Sequence, residues 1–326
     1  MKEFDLIANY FATGGHQRKD VLIGIGDDAA VTKVPQGQLL ASTTDTLVEG
    51  VHFLPGTPPE YIAHKAVACN LSDLAAMGAE PAWINLSLSI PKTDELWLSA
   101  FSNKLHELSE YFSFQLIGGD TVQGPLSITI TAQGFVPEDN ALTRGGAKAG
   151  DLIMVTGTLG DAGAGLDILL DKISVDPEAS NYLTLRHWCP TPRILAGTTL
   201  RRIASSCIDI SDGLLQDVGH LVEKSGTGAL IHLDKLPISE HLGKNIDDLS
   251  TALKYAATAG DDYELLFTVS EEQRVHIETS LASYNIDVTC IGKMTGATGK
   301  IDIRLDEKPF DISTLASEGF EHFSEN

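Results

Sequence analysis

The residues of this chain best placed to do chemistry are aspartates that follow apolar runs. Asp27 and Asp28 close Gly24-Ile25-Gly26, Asp45 follows Ser42-Thr43-Thr44, and Asp120 follows Gly118-Gly119. Asp209 and Asp212 frame Ile210-Ser211, and Asp261 and Asp262 follow Gly260. Each reads as a turn residue at a strand end, the position at which α/β proteins bind ligands. Asp73, in Asn70-Leu71-Ser72-Asp73-Leu74, lies instead inside a helical pattern. One Asp in a turn is an ordinary turn or capping residue; the recurrence is harder to explain that way. Carboxylates gathered together repel unless a cation neutralises them. Oxygen-only donors favour Mg²⁺ or Mn²⁺ over zinc, and Thr43 and Thr44 would add hydroxyl or main-chain oxygens. Mg²⁺ held in this way commonly also binds substrate phosphates. The expected chemistry is nucleotide-dependent phosphoryl transfer, with the acidic tips converging on one pocket.

Nucleotide motifs narrow this further. No Gly-Lys in the chain is followed by Ser or Thr, so there is no Walker A loop. Gly24-Ile25-Gly26-Asp27-Asp28-Ala29 matches G-x-G-x-x-A. A dinucleotide fingerprint, however, brings bare pyrophosphate to backbone amides, and two aspartates there would oppose it. The match suits metal-bridged phosphate better. Gly157-Thr158-Leu159-Gly160-Asp161-Ala162-Gly163 is a second glycine-rich turn, read as close helix packing rather than a phosphate cradle.

Composition excludes other classes. Against 23 Lys and Arg stand 45 Asp and Glu, a net charge of −22, the wrong sign for a nucleic-acid binder. No apolar run approaches the ~20 residues of a membrane helix, and Glu3 and Asp5 stand where a signal peptide would be basic and then apolar, so a cytoplasmic location is expected. The four cysteines are scattered, with no C-x-x-C pair, which points to neither a zinc site nor a disulfide framework. With 43% hydrophobic residues over 326 positions, the chain can bury the cores of two domains.

The elements that must position these residues follow from periodicity. Helices are expected at 2–13, 60–77 and 94–111, and short strands at Val21–Ile25, Leu39–Ser42 and Phe114–Ile117. Ile84, Leu86, Leu88 and Ile90, and later Leu126, Ile128 and Ile130, alternate with polar residues, as in an antiparallel sheet or barrel wall with one face buried. The Gly-rich stretch 138–150 reads as a connection between an N-terminal domain, 1–137, and a C-terminal domain, 151–326. In the latter, Leu152–Val155, Ser206–Ile210, Leu230–Leu233, Glu264–Val269 and Val288–Ile291 alternate with helical patterns. The fold class is α/β (α+β) in two domains.

Seven motifs in this order, GIGDDAA, STTDTLVEGVHF, NLSDLAAMGA, LIGGDT, LTRGGAKAGD, IDISDGL and GDDYELLF, resemble the thiamine-monophosphate kinase family of the aminoimidazole ribonucleotide synthetase superfamily. The resemblance runs from the N-terminal helix to Gly319-Phe320-Glu321-His322-Phe323. It implies transfer of the ATP γ-phosphoryl to thiamine monophosphate, several Mg²⁺ ions, and a homodimer whose N-terminal sheets pair into a barrel. It also implies Asp28, Thr43, Thr44, Asp45, Asp73, Asp120, Asp209 and Asp212 as metal ligands, and Gly119, Asp120, Arg144 and Ser211 as nucleotide contacts. His52, Asp261 and Phe320 become substrate contacts. Asp261 and Phe320 stand where the family often has Glu or Asp and Tyr, Trp or Phe. Arg144 and Asp212 would act on the transferring group, Arg144 by stabilising its spreading charge, and Phe320 could stack on a cationic heterocycle. The competing expectations are another ATP-dependent synthetase of the superfamily and a non-catalytic Mg·nucleotide-binding protein.

Overall fold

The computed structural model describes residues 3–246 and 248–311. It divides into two compact units, Met1–Leu74 with Ala79–Asp139, and Ala75–Gly78 with Asn140–Asn326. Phe320, the expected stacking residue, lies outside the described residues.

The first unit contains α1 (Glu3–Tyr10), β1 (Val21–Ile23), β2 (Val31–Thr32), β3 (Gln38–Val48), α2 (Pro59–Ala76), β4 (Glu80–Ile90), α3 (Glu95–Phe112), β5 (Gln115–Gln123) and β6 (Ser127–Pro137). The last residues of α2 are counted with the second unit. Asp94 caps α3 by accepting the amides of Leu96 and Trp97, and the helix buries Leu98, Phe101, Leu105 and Leu108. Four strands form one sheet in the order β3-β6-β4-β5, antiparallel except for the β4–β5 pair. Alternation along these strands sends Leu47, Ile128, Ile130, Leu86 and Leu88 into the core. The opposite face carries Thr44, Thr46, Thr129, Thr131, Asn85 and Ser87, each exposed or half-buried. Beside the sheet, β1 and β2 pair as a small ribbon. Val21 and Ala30 pack on Ala82, Trp83, Ile117 and Phe135, and Asp20 accepts the Trp83 indole N–H at 2.9 Å. These contacts hold both ends of the acidic Gly24–Ala30 loop.

The second unit contains β7 (Leu152–Thr156), α4 (Asp161–Leu169), α5 (Pro177–Trp188), α6 (Ile194–Leu200), β8 (Ser206–Asp209), α7 (Leu214–Ser225), β9 (Gly228–His232), α8 (Glu240–Asn245), α9 (Leu249–Thr258), β10 (Leu265–Val269), α10 (Arg274–Ala282), β11 (Val288–Thr295), β12 (Ile301–Leu305) and β13 (Lys308–Pro309). Its seven strands run β13-β12-β9-β11-β7-β10-β8, with β12–β9 the one parallel pair. The mixed α/β architecture in two domains is thus present. The 140–150 stretch, however, is not a free connection. The Cys207 amide donates to Thr143 O at 2.9 Å, the Ala147 amide donates to Ser225 Oγ at 3.1 Å, and a Cβ on Gly146 would stand 2.5 Å from Ser205 O. That segment is built into the second unit.

The antiparallel order changes how the acidic segments meet. Asp209 ends β8 and pairs with Leu265, the first residue of β10. Asp261 and Asp262 therefore precede a strand instead of following one, and they reach the Asp209–Asp212 turn because the two strands run in opposite directions. Asp45 and Asp120 are also not in turns: β3 continues to Val48 and β5 to Gln123, so both lie within strands.

Candidate active site

In the first unit the strand register sorts the acidic residues into two groups. Asp45 pairs with Ile130 and points to the helix-covered face, as does Thr43 two residues earlier. There Asp45 meets Asp73 of α2, and the Thr43 hydroxyl donates a hydrogen bond to the Asp73 carboxylate. Burial, reinforced by the Asp73 charge, pushes the Asp45 carboxyl up to about 6. A cation between these oxygens would offset both causes. The donors are all hard oxygens, so the set fits Mg²⁺. The Thr44 side chain, although expected beside Thr43 as a ligand, does not join this set. Alternation turns its hydroxyl to the opposite face, where it pairs with Thr131 Oγ1 at 2.9 Å, which leaves only its main-chain oxygen for a ligand role.

The second group faces the other way. Asp120 pairs with Ser87, in the row that continues through Thr129 and Thr46. With Asp27, Asp28, Gly118 and Gly119 it lines a cavity of about 930 Å³ whose apolar wall includes Ile7 of α1 and Phe11 just after it. Asp27 accepts the Asp28 amide at 2.9 Å, so its carboxylate shapes the loop while the exposed Asp28 stands at the cavity wall. Gly119 is fixed by close approach: a Cβ there would lie 1.8 Å from Leu86 O across the β4–β5 pair. The Gly24–Ala29 segment leads into β2 and not into a helix, so the dinucleotide geometry is missing. The single pocket expected for the acidic tips is, within this unit, two groups on opposite faces of one sheet, because neighbouring strand positions point in opposite directions. His52 lies in the turn after β3, where its Nδ1 accepts the Val48 amide at 3.0 Å and so helps to shape that turn.

In the second unit Asp209 is buried, and Ser211 and Asp212 are half-buried. Asp212 accepts a bond from Gln216 Nε2 at 3.3 Å. The turn is zipped to the segment before β10: the Asp261 amide donates to Ser211 O and the Tyr263 amide to Ile210 O, both at 2.9 Å. Arg144 is exposed, and its carbonyl accepts the Ser225 hydroxyl at 3.4 Å. In the glycine-rich 157–163 turn, a Cβ on Gly160 would stand 2.6 Å from Ala256 N, and Asp262 accepts the Gly160 amide at 2.8 Å. The start of α4 is thereby occupied by a protein carboxylate, as close packing requires.

Sequence reasoning missed two groups. Asp217 and His220 on α7 bring ligand-type atoms within 4.8 Å of one another and of Asp212. Burial, then the charges of Asp209 and Asp212, push the Asp217 carboxyl up to about 8. Their three-residue spacing on one helical face directly after Ser-Asp-Gly was the available signal. The other group is the buried Glu264 with Arg186 and Arg193. A Glu leading the apolar run Leu265–Val269 already called for a buried partner.

Residues 26–136 match the family model described as AIR synthase related protein, N-terminal domain, and residues 148–304 match the AIR synthase related protein, C-terminal domain. The thiamine-monophosphate kinase of Escherichia coli (strain K12) is 49% identical over 323 residues, covering 99% of this chain and 98% of that protein. The chain belongs to the thiamine-monophosphate kinase family. Among solved structures, the thiamine-monophosphate kinase from Stenotrophomonas maltophilia K279a superposes with a TM-score of 0.83 at 41% identity, covering 89% of this chain and 92% of that one. AaThiL complexed with AMPPCP and TMP superposes with a TM-score of 0.76 at 32% identity, covering 92% of each chain. Among the described residues no helix is long and apolar enough to cross a membrane.

Proposed function

We propose that this chain transfers the γ-phosphoryl group of ATP to thiamine monophosphate in one direct, in-line, Mg²⁺-dependent step. An oxygen of the monophosphate attacks the γ-phosphorus, the bond from that phosphorus to the β,γ-bridging oxygen breaks, and thiamine diphosphate and ADP leave. The observation that carries this reading is the acidic cavity of the first unit. Its GIGDDAA and LIGGDT walls stand in a chain of this family, and a 32% identical relative has been solved complexed with AMPPCP and TMP. A cavity of about 930 Å³ is of the size that takes a nucleotide.

In this reading the first unit would hold Mg²⁺ in two places, with Asp45, Asp73, the Thr43 hydroxyl and the Thr44 carbonyl as one ligand set and Asp28 and Asp120 as the other, and Asp209 and Asp212 would hold it in the second unit. Bound Mg²⁺ neutralises phosphate charge and so lets two anionic reactants approach. Gly119, Asp120, Ser211 and Arg144 contact the nucleotide, and Arg144 supplies a charge-assisted donor to the transferring group. His52, Asp261 and Phe320 contact thiamine monophosphate. No protein base is required, because a phosphate monoester with a second pKa of about 6 is already largely ionised near neutral pH. The polar face bearing Thr46, Thr129 and Ser87 is the surface on which a second copy would pair, sheet to sheet.

Product analysis tests the proposal. Purified protein with ATP, thiamine monophosphate and Mg²⁺ is expected to form thiamine diphosphate and ADP one for one. ATP consumption without thiamine diphosphate, or release of AMP, would overturn it.

A further inference from the structure

The second unit holds a buried charge cluster that the transfer chemistry does not use. Glu264 has no exposed surface. Arg193 donates to it as a fork, Nε to Oε2 and Nη2 to Oε1, each at 2.6 Å. Arg186 adds a bond at 3.0 Å and the Thr156 hydroxyl one at 2.6 Å. Two residues earlier the equally buried Asp262 accepts the amides of Gly160 and Ala162 at 2.8 and 3.5 Å. On either side of Asp262 the backbone is left-handed at a residue that carries a side chain, Asp261 (φ 66°) before it and Tyr263 (φ 51°) after it. Such conformations persist only where the surroundings over-determine them.

The result is a directed turn. Asp262 and Glu264 point inward to their anchors, and Asp261 points outward with a third of its side-chain surface open. The Tyr263 hydroxyl donates to Asp261 Oδ1 at 3.2 Å, and His187 Nδ1 stands 3.6 Å from Oδ2. Helix α5 therefore touches both ends of the device, through Arg186 to Glu264 and through His187 to Asp261. For stability alone, well-packed apolar side chains would serve as well as a buried ion cluster. What the forked pair adds is a fixed direction.

We infer that Glu264, gripped by Arg193 and Arg186, is a positioning residue that aims Asp261 at the cationic heterocycle of thiamine monophosphate, an inference that rests on Asp261 being a substrate contact. Arg193→Lys keeps the charge but loses the fork. It is expected to raise KM for thiamine monophosphate about tenfold, while kcat and KM for ATP stay within twofold. In an Asp261→Asn background the same substitution is expected to add nothing, because the effect runs through Asp261. An equal rise of KM in both backgrounds, an equal rise for both substrates, or no rise at all would overturn the inference. Asp261→Asn alone reports on the reading beneath it: an unchanged KM for thiamine monophosphate there removes Asp261 from substrate contact and takes the inference with it. Should Arg193→Lys fail to fold, Thr156→Val loosens the same carboxylate without unpairing a charge, and the same comparison across the two backgrounds decides.

Discussion

Replacing Asp45 with Asn separates what this carboxylate does for the site from what it costs the fold. Its carboxyl sits at about 6 because burial, then the Asp73 charge, disfavours ionisation. The folded chain consequently holds this proton more tightly than the unfolded chain does. Stability attributable to Asp45 is greatest at low pH, falls as pH rises from about 4 to about 6, and stays reduced above that. The displacement from 3.8 to about 6 corresponds to about 3 kcal/mol in a fully buried site. Asp45 keeps some contact with solvent, and screening reduces the expected penalty to about 1–2 kcal/mol. Asn has nearly the same shape and no charge. In urea unfolding at pH 8 with a chelator, Asp45→Asn should be more stable than wild type by about 1–2 kcal/mol, and at pH 4 the two should nearly coincide. Added Mg²⁺ should stabilise wild type more than the variant, which keeps the other acidic groups but has lost the carboxylate of this one, because a ligand stabilises only the form that binds it. A variant less stable than wild type at pH 8 in chelator, or one that gains as much from Mg²⁺, would refute the reasoning.

Two further outcomes follow from the geometry. Gly119→Ala places a methyl group 1.8 Å from Leu86 O, so the β4–β5 pair must separate locally; a loss of about 2–4 kcal/mol is expected in chemical denaturation. Asp217→Asn removes a carboxyl whose proton is held up to about 8, so in chelator the variant should gain stability over wild type progressively between about pH 4 and pH 8, by about 2–4 kcal/mol, and the gap should then stay constant. A pH-independent difference in unfolding free energy would contradict that account of Asp217.

Much of the architecture can be read from local pattern. The helices around Asp73 and Leu98–Leu108 follow from apolar spacing, and the alternation Ile84–Ile90 and Ile128–Ile130 gives two walls of the first sheet. The full length of β3 is hidden, because its inward positions include Thr43 and Asp45, polar residues that break the alternation beyond Ser42. That one misreading made a mid-strand carboxylate look like a loop tip. Strand order is set by pairings far apart in sequence, such as Asp209 with Leu265, which no local window contains. The motifs supplied the identities of the acidic residues. Which of them share a face came only from register, and this is why Asp45 and Asp120 proved to stand on opposite sides of one sheet. The Glu264 cluster draws on Thr156, Arg186 and Arg193, three positions with no common motif.

The central claim is that the aspartates of this chain hold the Mg²⁺ through which ATP and thiamine monophosphate react. Its most direct test is the initial rate of thiamine diphosphate formation by the purified protein as free Mg²⁺ is titrated from chelator to saturation. The account predicts no turnover in chelator, a rate that rises with Mg²⁺ to a plateau, and loss of that rise in Asp28→Asn and Asp45→Asn. Undiminished product formation in chelator, or a normal Mg²⁺ response in both variants, would contradict it.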